Sequence, residues 1–264
     1  MMRVCVFASG SGGNCLLVSS GNTNILIDAG ISARRILSSL SAQKLSIDQI
    51  NGVLITHEHS DHVSGLKTLL KYHNVPLYAP RTVAARICGM LPEAADFMRT
   101  LPVGEDFYIG EMKIRAFHTP HDTDESVGYR IEADGIFALA TDIGHISSDV
   151  AEGLLGADTV LIESNHDEQM LSYGSYPVYL KRRILSERGH LSNADCSLFL
   201  PELVKAGAGR IILGHLSREN NNPARALYEA EKALKDSAAE LFCAPVFGAL
   251  VVPVGCEETE ECLM

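Results

Sequence analysis

The chain has 264 residues, of which 46% are hydrophobic and 21% charged, with a formal net charge of −11. That length suits one layered α/β unit with a sizeable core. The acidic balance excludes an open basic face for nucleic acid or anionic lipid, so a phosphate-bearing substrate needs positive charge supplied locally.

Short apolar runs bounded by glycine-rich turns predict strands over residues 3–8, 15–19 and 24–28. A helix is expected over 32–40, after Gly30, and a buried strand over 52–56. Residues 64–72 carry Leu66, Leu69 and Leu70 at helical spacing; a strand over 76–79 and a helix over 81–90 follow. From Asp106 the pattern returns to strands, over 107–109, 112–118, 126–132, 136–141 and 158–163. Helices are expected over 176–187 and 192–206, the second capped by Ser192 or Asn193. A strand over 210–213, a helix over 223–235 and a strand-like run over 244–254 complete the pattern. Strand groups with covering helices in both halves predict two sheets packed face to face with helices outside, a four-layer arrangement of residues 1–264 as one domain. The segment 256–264 is acidic and expected to fray.

The seven cysteines are odd in number, scattered and free of any CxxC pair, which argues against a disulfide framework. No apolar run approaches the roughly 18 residues of a membrane span. No signal h-region or prenylation box is evident, and a cytoplasmic location without membrane association is expected. Gly10-x-Gly12 lacks the third glycine of a dinucleotide fingerprint, since position 15 is Cys15, so nucleotide cofactor binding is excluded. A tight turn there accounts for the glycines, and its backbone N–H groups can also receive a phosphate.

The chemistry concentrates in Thr56-His57-Glu58-His59-Ser60-Asp61-His62. Three imidazoles and a carboxylate fall within six residues, between a buried strand and a helix. On an extended turn His57 and His59 point the same way, while Asp61 and His62 turn into the helix start and face a neighbouring position. One loop can thus feed two metals. Imidazole with carboxylate suits zinc, manganese, iron or nickel. A lone histidine here would read as a solvated loop residue; four donors in this spacing do not. Two divalent cations would add about +4 to the cleft, reversing its local sign.

His-x-His-x-Asp-His resembles the signature of the metallo-β-lactamase superfamily, and the resemblance extends over nearly the whole chain. It implies an αββα sandwich. It also implies that Asp28 orients the metal loop, that Asp142 bridges two metals, and that His215 binds the second. His118 and His121 both fit the histidine after the third motif's strand; His121 is preferred for its short distance before Gly128-Tyr129-Arg130. His118, inside the strand, is expected to be buried. The implied ligands are His57, His59 and His121 on one cation and Asp61, His62 and His215 on the other, with Asp142 and a hydroxide between them.

The opening Ser9-Gly10-Ser11-Gly12-Gly13-Asn14-Cys15, the run from Leu161 to Asp167, Gly189-His190-Leu191-Ser192-Asn193 and the run from Leu213 to Asn221 resemble the YycJ/WalJ family. The last three also parallel ribonuclease Z in order, without its long basic arm. These resemblances imply a phosphodiesterase, a DNA 5′-to-3′ exonuclease foremost, with DNA as partner. Asp61 would take a proton from the attacking water, and His190, oriented by Glu163, would protonate the leaving oxygen. Ser11, Asn14, His166, Ser217 and Arg218 are candidate substrate contacts. Lys181, Arg182, Arg183, Arg188 and Arg218 are candidates for the phosphate backbone, with a solvated helix face as the plainer reading of Lys181-Arg182-Arg183. His166 reads equally as a third-site ligand, a phosphate contact or a core histidine, and Asn220 to Asn222 as caps or substrate contacts. His73 and His145 read as surface or structural residues. The rival activity is a small-molecule metallo-hydrolase acting on a cyclic phosphodiester, thioester or lactone. The oligomeric state stays open, a homodimer included.

Overall fold

The computed structural model describes residues 1–255; the segment 256–264 expected to fray lies outside the described residues. Two seven-stranded sheets face each other. The first holds β1 (Arg3–Ala8), β2 (Cys15–Ser20), β3 (Thr23–Ile27), β4 (Gly52–Leu54), β5 (Leu77–Ala79) and β6 (Met98–Thr100). The second holds β7 (Asp106–Ile109), β8 (Met112–His118), β9 (Val127–Glu132), β10 (Ile136–Ala140), β11 (Thr159–Glu163), β12 (Arg210–Gly214) and β13 (Glu240–Cys243). The last strand, β14 (Leu250–Pro253), crosses back to pair antiparallel with β1.

Three apolar clusters make the four layers. Val4, Val6, Leu16, Ile25, Tyr129, Phe137 and Leu161 fill the space between the sheets. The first sheet's outer face is covered by α1 (Ala33–Ala42), α3 (Leu66–Tyr72) and α4 (Arg81–Met90), through Ile36, Leu40, Leu66, Leu69, Val83 and Ile87. The second is covered by α5 (Ser148–Leu154), α8 (Asn193–Lys205) and α9 (Pro223–Ala233), through Val150, Leu154, Phe199, Leu203 and Ala230. Strands buried on both faces read as continuous apolar runs, which is why β2, β3 and β11 were legible. The fold is that of the expected αββα sandwich.

Several boundaries differ from expectation. The strand expected over 52–56 stops at Leu54, because Ile55 and Thr56 already lead into the histidine loop. The helix expected from 64 splits into α2 (Ser60–Val63) and α3, with Ser64 and Gly65 between them. The helix expected over 176–187 shortens to α7 (Val178–Ile184), preceded by Pro177. The run over 244–254 is no single strand: β13 precedes it, and residues 244–249 turn so that β14 reaches the other sheet. α5, α6 (Glu168–Tyr173) and β6 had no sequence expectation. Ser192 is the cap of α8, accepting the Asp195 N–H at 3.0 Å.

Candidate metal centre

The loop between β4 and α3 carries the four clustered donors, and its backbone is tied down from two sides. The Asn14 N–H donates to the Asp61 carbonyl at 2.7 Å, and the Ala29 N–H to the His62 carbonyl at 2.8 Å. Gly30 lies so close that a Cβ there would overlap the Asp61 carbonyl. The other donors arrive at strand ends: Asp28 after β3, Asp142 after β10, Glu163 ending β11 and His215 after β12. Asp28, Asp142 and His215 have φ of 59°, 57° and 54°. Such left-handed backbone is uncommon outside glycine and costs about 1–3 kcal/mol at each residue.

The donor atoms converge in three groups, of which the third, Asp142, Glu163, His190 and His215, shares Asp142 and His215 with the second. His57, His59 and His121 form the first, and Asp61, His62, Asp142 and His215 the second, each with donor atoms within 4.8 Å of one another. His57 Nε2 and His121 Nε2 lie 3.1 and 3.3 Å from His59 Nδ1. Asp142 touches the first two groups: one oxygen is 3.7 Å from His121 Nε2 and 3.5 Å from His215 Nε2, the other 3.2 Å from His62 Nε2. Asp142 Oδ2 and His215 Nε2 are buried without a hydrogen-bond partner among the described residues. Buried, unpaired acceptors cost free energy unless something fills the site. Neutral imidazole nitrogens and carboxylates are the donor set of a divalent cation.

A second ring of groups turns the ligands inward. Asp28 Oδ2 lies 2.7 Å from His62 Nδ1, and Asp28 is itself fixed by the Thr56 N–H at 2.9 Å and the Thr56 hydroxyl. This is the carboxylate–histidine arrangement that sets tautomer and basicity in metal sites. Glu163 does it twice: Oε1 is 2.8 Å from His190 Nδ1 and 2.9 Å from His215 Nδ1, while Oε2 accepts the Ile143 N–H. The His190 ring sits 5.4 Å from His121 and 5.3 Å from His215, between the first two groups.

Electrostatics follow from this packing. Burial by itself lowers the pKa of His215, but Asp142, Asp61 and Glu163 raise it to about 10. Burial likewise opposes protonation of His62 and His190, and the carboxylates of Asp28 and Asp142 on one, of Glu163 on the other, win. Burial would raise Asp61, Asp142 and Glu163, yet the neighbouring imidazoles hold all three below the usual carboxylate range. Burial pushes His57 and His121 down, leaving them free to donate electron pairs.

A family model described as "Beta-lactamase superfamily domain" matches residues 23–216. The chain belongs to the metallo-β-lactamase superfamily. It is a metal-dependent hydrolase. It is 34% identical over 239 residues to Exodeoxyribonuclease YycJ of Bacillus anthracis, covering 89% of this chain and 90% of that one. It is 35% identical to Exodeoxyribonuclease WalJ of Streptococcus pneumoniae, covering 83% of each. Among solved structures it is similar to the metallo-β-lactamase fold protein YhfI of Bacillus subtilis, with TM-score 0.72 at 16% identity over 95% of this chain and 99% of that one. No helix among the described residues is long and apolar enough to cross a membrane.

Other expected residues fall in varied places. His118 is not buried: although it shares strand parity with the buried Met112, Ile114 and Ala116, it is the last residue of β8, exposed and outside the donor groups. Asn14 is buried; its side-chain oxygen accepts the Gly10 N–H at 2.8 Å and its amide lies 3.0 Å from His62 Nε2. Ser11 and Ser217 line a groove with His190, Tyr176 and Arg183. Ser217 also accepts the Asn220 N–H, and Asn222 caps α9. His166 is buried, with neither ring nitrogen paired among the described residues, and burial lowers its pKa to about 4. His145 is exposed and donates to the Glu187 carbonyl. The basic candidates are mostly engaged: Lys181 with the carbonyls of Ser172 and Gly174, Arg183 with Asp122, and Arg188 with the carbonyls of His121 and Thr123. Arg188 therefore pins the His121 loop. Sequence reasoning missed Thr56, whose hydroxyl lies against Asp28, His57 and His62, although its place just before the histidines was a usable signal. It also missed Asp122, 3.2 Å from His121 Nε2.

Proposed function

We propose that the chain is a two-metal phosphodiesterase acting on DNA as an exonuclease of 5′-to-3′ polarity. The observation that carries this reading is the single Glu163 oxygen shared by His190 and His215. It joins a candidate metal ligand to a histidine whose other nitrogen is free to meet a leaving group. The names of the relatives support DNA as the substrate.

His57, His59 and His121 would hold one cation, Asp61, His62 and His215 the other, and Asp142 would reach both; zinc or manganese suits these donors, iron or nickel less so. When bound, the cations lower the pKa of water toward neutrality and neutralise charge on the phosphoryl oxygens. Asp61, ionised at neutral pH and the most solvent-accessible carboxylate of its group, accepts a proton or hydrogen bond from the attacking water and orients it. Asn14 and Asp28 position the loop rather than touch substrate. Glu163 favours the protonated form of His190, raising its pKa against burial, and His190 donates from Nε2 to the departing oxygen.

The test is a panel of 5′-phosphorylated DNA, RNA, bis-p-nitrophenyl phosphate and a thioester, with zinc- or manganese-replete protein. DNA and the diester are expected to be cleaved, and His190→Ala to lower kcat by about 10²–10⁴-fold. Because Glu163 raises His190's pKa in the fold, its proton is lost only as pH rises through that raised value. Activity therefore falls on the alkaline side in the wild type, and this limb is absent in His190→Ala. Thioester cleavage without turnover of either phosphodiester would sink the reading in favour of a small-molecule hydrolase.

A further inference from the structure

Beyond the histidine cluster, two guanidinium groups share one aromatic ring. The guanidinium carbon of Arg35, on α1, lies 3.7 Å from the centre of the Phe247 ring, and that of Arg218, in the loop after β12, lies 4.8 Å from it. Neither has a carboxylate within 4.0 Å among the described residues. By contrast Arg86, Arg115, Arg130, Arg183, Arg210 and Arg225 each pair with one. Like charges against one ring repel, and among the described residues no carboxylate within 4.0 Å offsets them. Stacking engages the guanidinium face and leaves its N–H edge free, the edge that meets phosphate oxygens in fork geometry. Phe247 is 45% exposed, so the ring serves this stack more than the core.

The position is as informative as the chemistry. The Arg218 guanidinium occupies the space a Cβ on Gly12 would need. Gly12 belongs to the turn whose Asn14 ties down the Asp61 loop. Its neighbour Ser11, and Ser217 beside Arg218, line the groove that contains His190. The groove thus runs from the candidate proton donor to Ser217, the residue before Arg218.

We infer that Arg35 and Arg218, held by Phe247, bind the backbone phosphates of the DNA strand beyond the scissile bond. This rests on the nuclease reading and deepens it by giving an acidic protein a local cationic track. Phe247 is a positioning residue, since its ring is taken up by the guanidinium groups.

The experiment is fluorescence anisotropy of a 5′-phosphorylated single-stranded DNA 12-mer with metal-replete protein carrying His190→Ala to slow cleavage, across a salt series. Adding Arg35→Gln or Arg218→Gln is expected to weaken binding about tenfold each. Each should also reduce the slope of log affinity against log salt by about 0.7, the value for one phosphate contact on a single strand. Arg35→Lys keeps the charge and is expected to retain the slope, which separates lost phosphate contact from misfolding. Phe247→Leu is expected to weaken binding with the slope retained. If the glutamine variants bind with the parent's affinity and slope, the inference is overturned while the nuclease reading stands. If the parent does not bind the 12-mer and the wild type does not cleave it, the nuclease reading fails and carries this inference with it.

Discussion

The two sheets contribute to the candidate metal centre in different ways. The first sheet presents His57, His59, Asp61 and His62 on one contiguous loop, fastened by backbone hydrogen bonds from Asn14 and Ala29. The second sheet sends in single residues from separate strand ends, Asp142, Glu163 and His215, two of them at positive φ. A contiguous loop depends on close backbone packing. Separate strand ends depend on strain that the parallel ladder of β10, β11 and β12 holds in place, and on one carboxylate that serves two histidines. The contrast teaches that the loop half is fragile at glycine and the strand half is fragile at Glu163.

The sharpest test of the strand half is Glu163→Gln. It removes the negative charge facing both His190 and His215, so it should exceed either single loss. Activity is expected to fall beyond the about 10²–10⁴-fold assigned to a missing proton donor, with metal affinity falling a further 10–100-fold or so, measured by kinetics and metal titration. An effect no larger than that of His190→Ala would dissolve the idea that one carboxylate serves two roles.

On the loop side, Gly30→Ala places a methyl group on the Asp61 carbonyl, where only backbone can give way. A loss of about 4 kcal/mol or more in urea unfolding is expected, with reduced metal content. A near-neutral result would mean that the loop is softer than its contacts imply.

His166 belongs to neither half's donor set, and its titration gives a smaller effect. Burial lowers its pKa from 6.5 to about 4, so the unfolded chain holds more protons between those values. Stability is therefore intact above about pH 6.5 and declines as pH falls toward 4, by about 3 kcal/mol in all. His166→Gln should flatten that part of the stability–pH curve; an unchanged slope would show that another group carries it.

Asp28→Asn is the loop half's counterpart to Glu163→Gln, but it touches only one ligand, His62. The expected cost is about 10–100-fold in metal affinity, read by competition with a chelator. A cost equal to that of Glu163→Gln would erase the difference between the halves.

The amino-acid sequence by itself determined the chemistry class. Four donors in six residues can only be brought together one way on a short loop, so His57, His59, Asp61 and His62 were legible from spacing. The doubly buried strands were legible because burial on both faces leaves an unbroken apolar run. Asp142, Glu163, His190 and His215 were reachable by family resemblance, since nothing in their local spacing brings them together. Only the tertiary structure decided that Glu163 faces two histidines at once, that His118 points away, that Arg188 grips backbone, and that Arg35 meets Arg218 across Phe247. The reason is physical: those relations join residues on different strands and helices, where strand register and layer packing, not local pattern, set the distances.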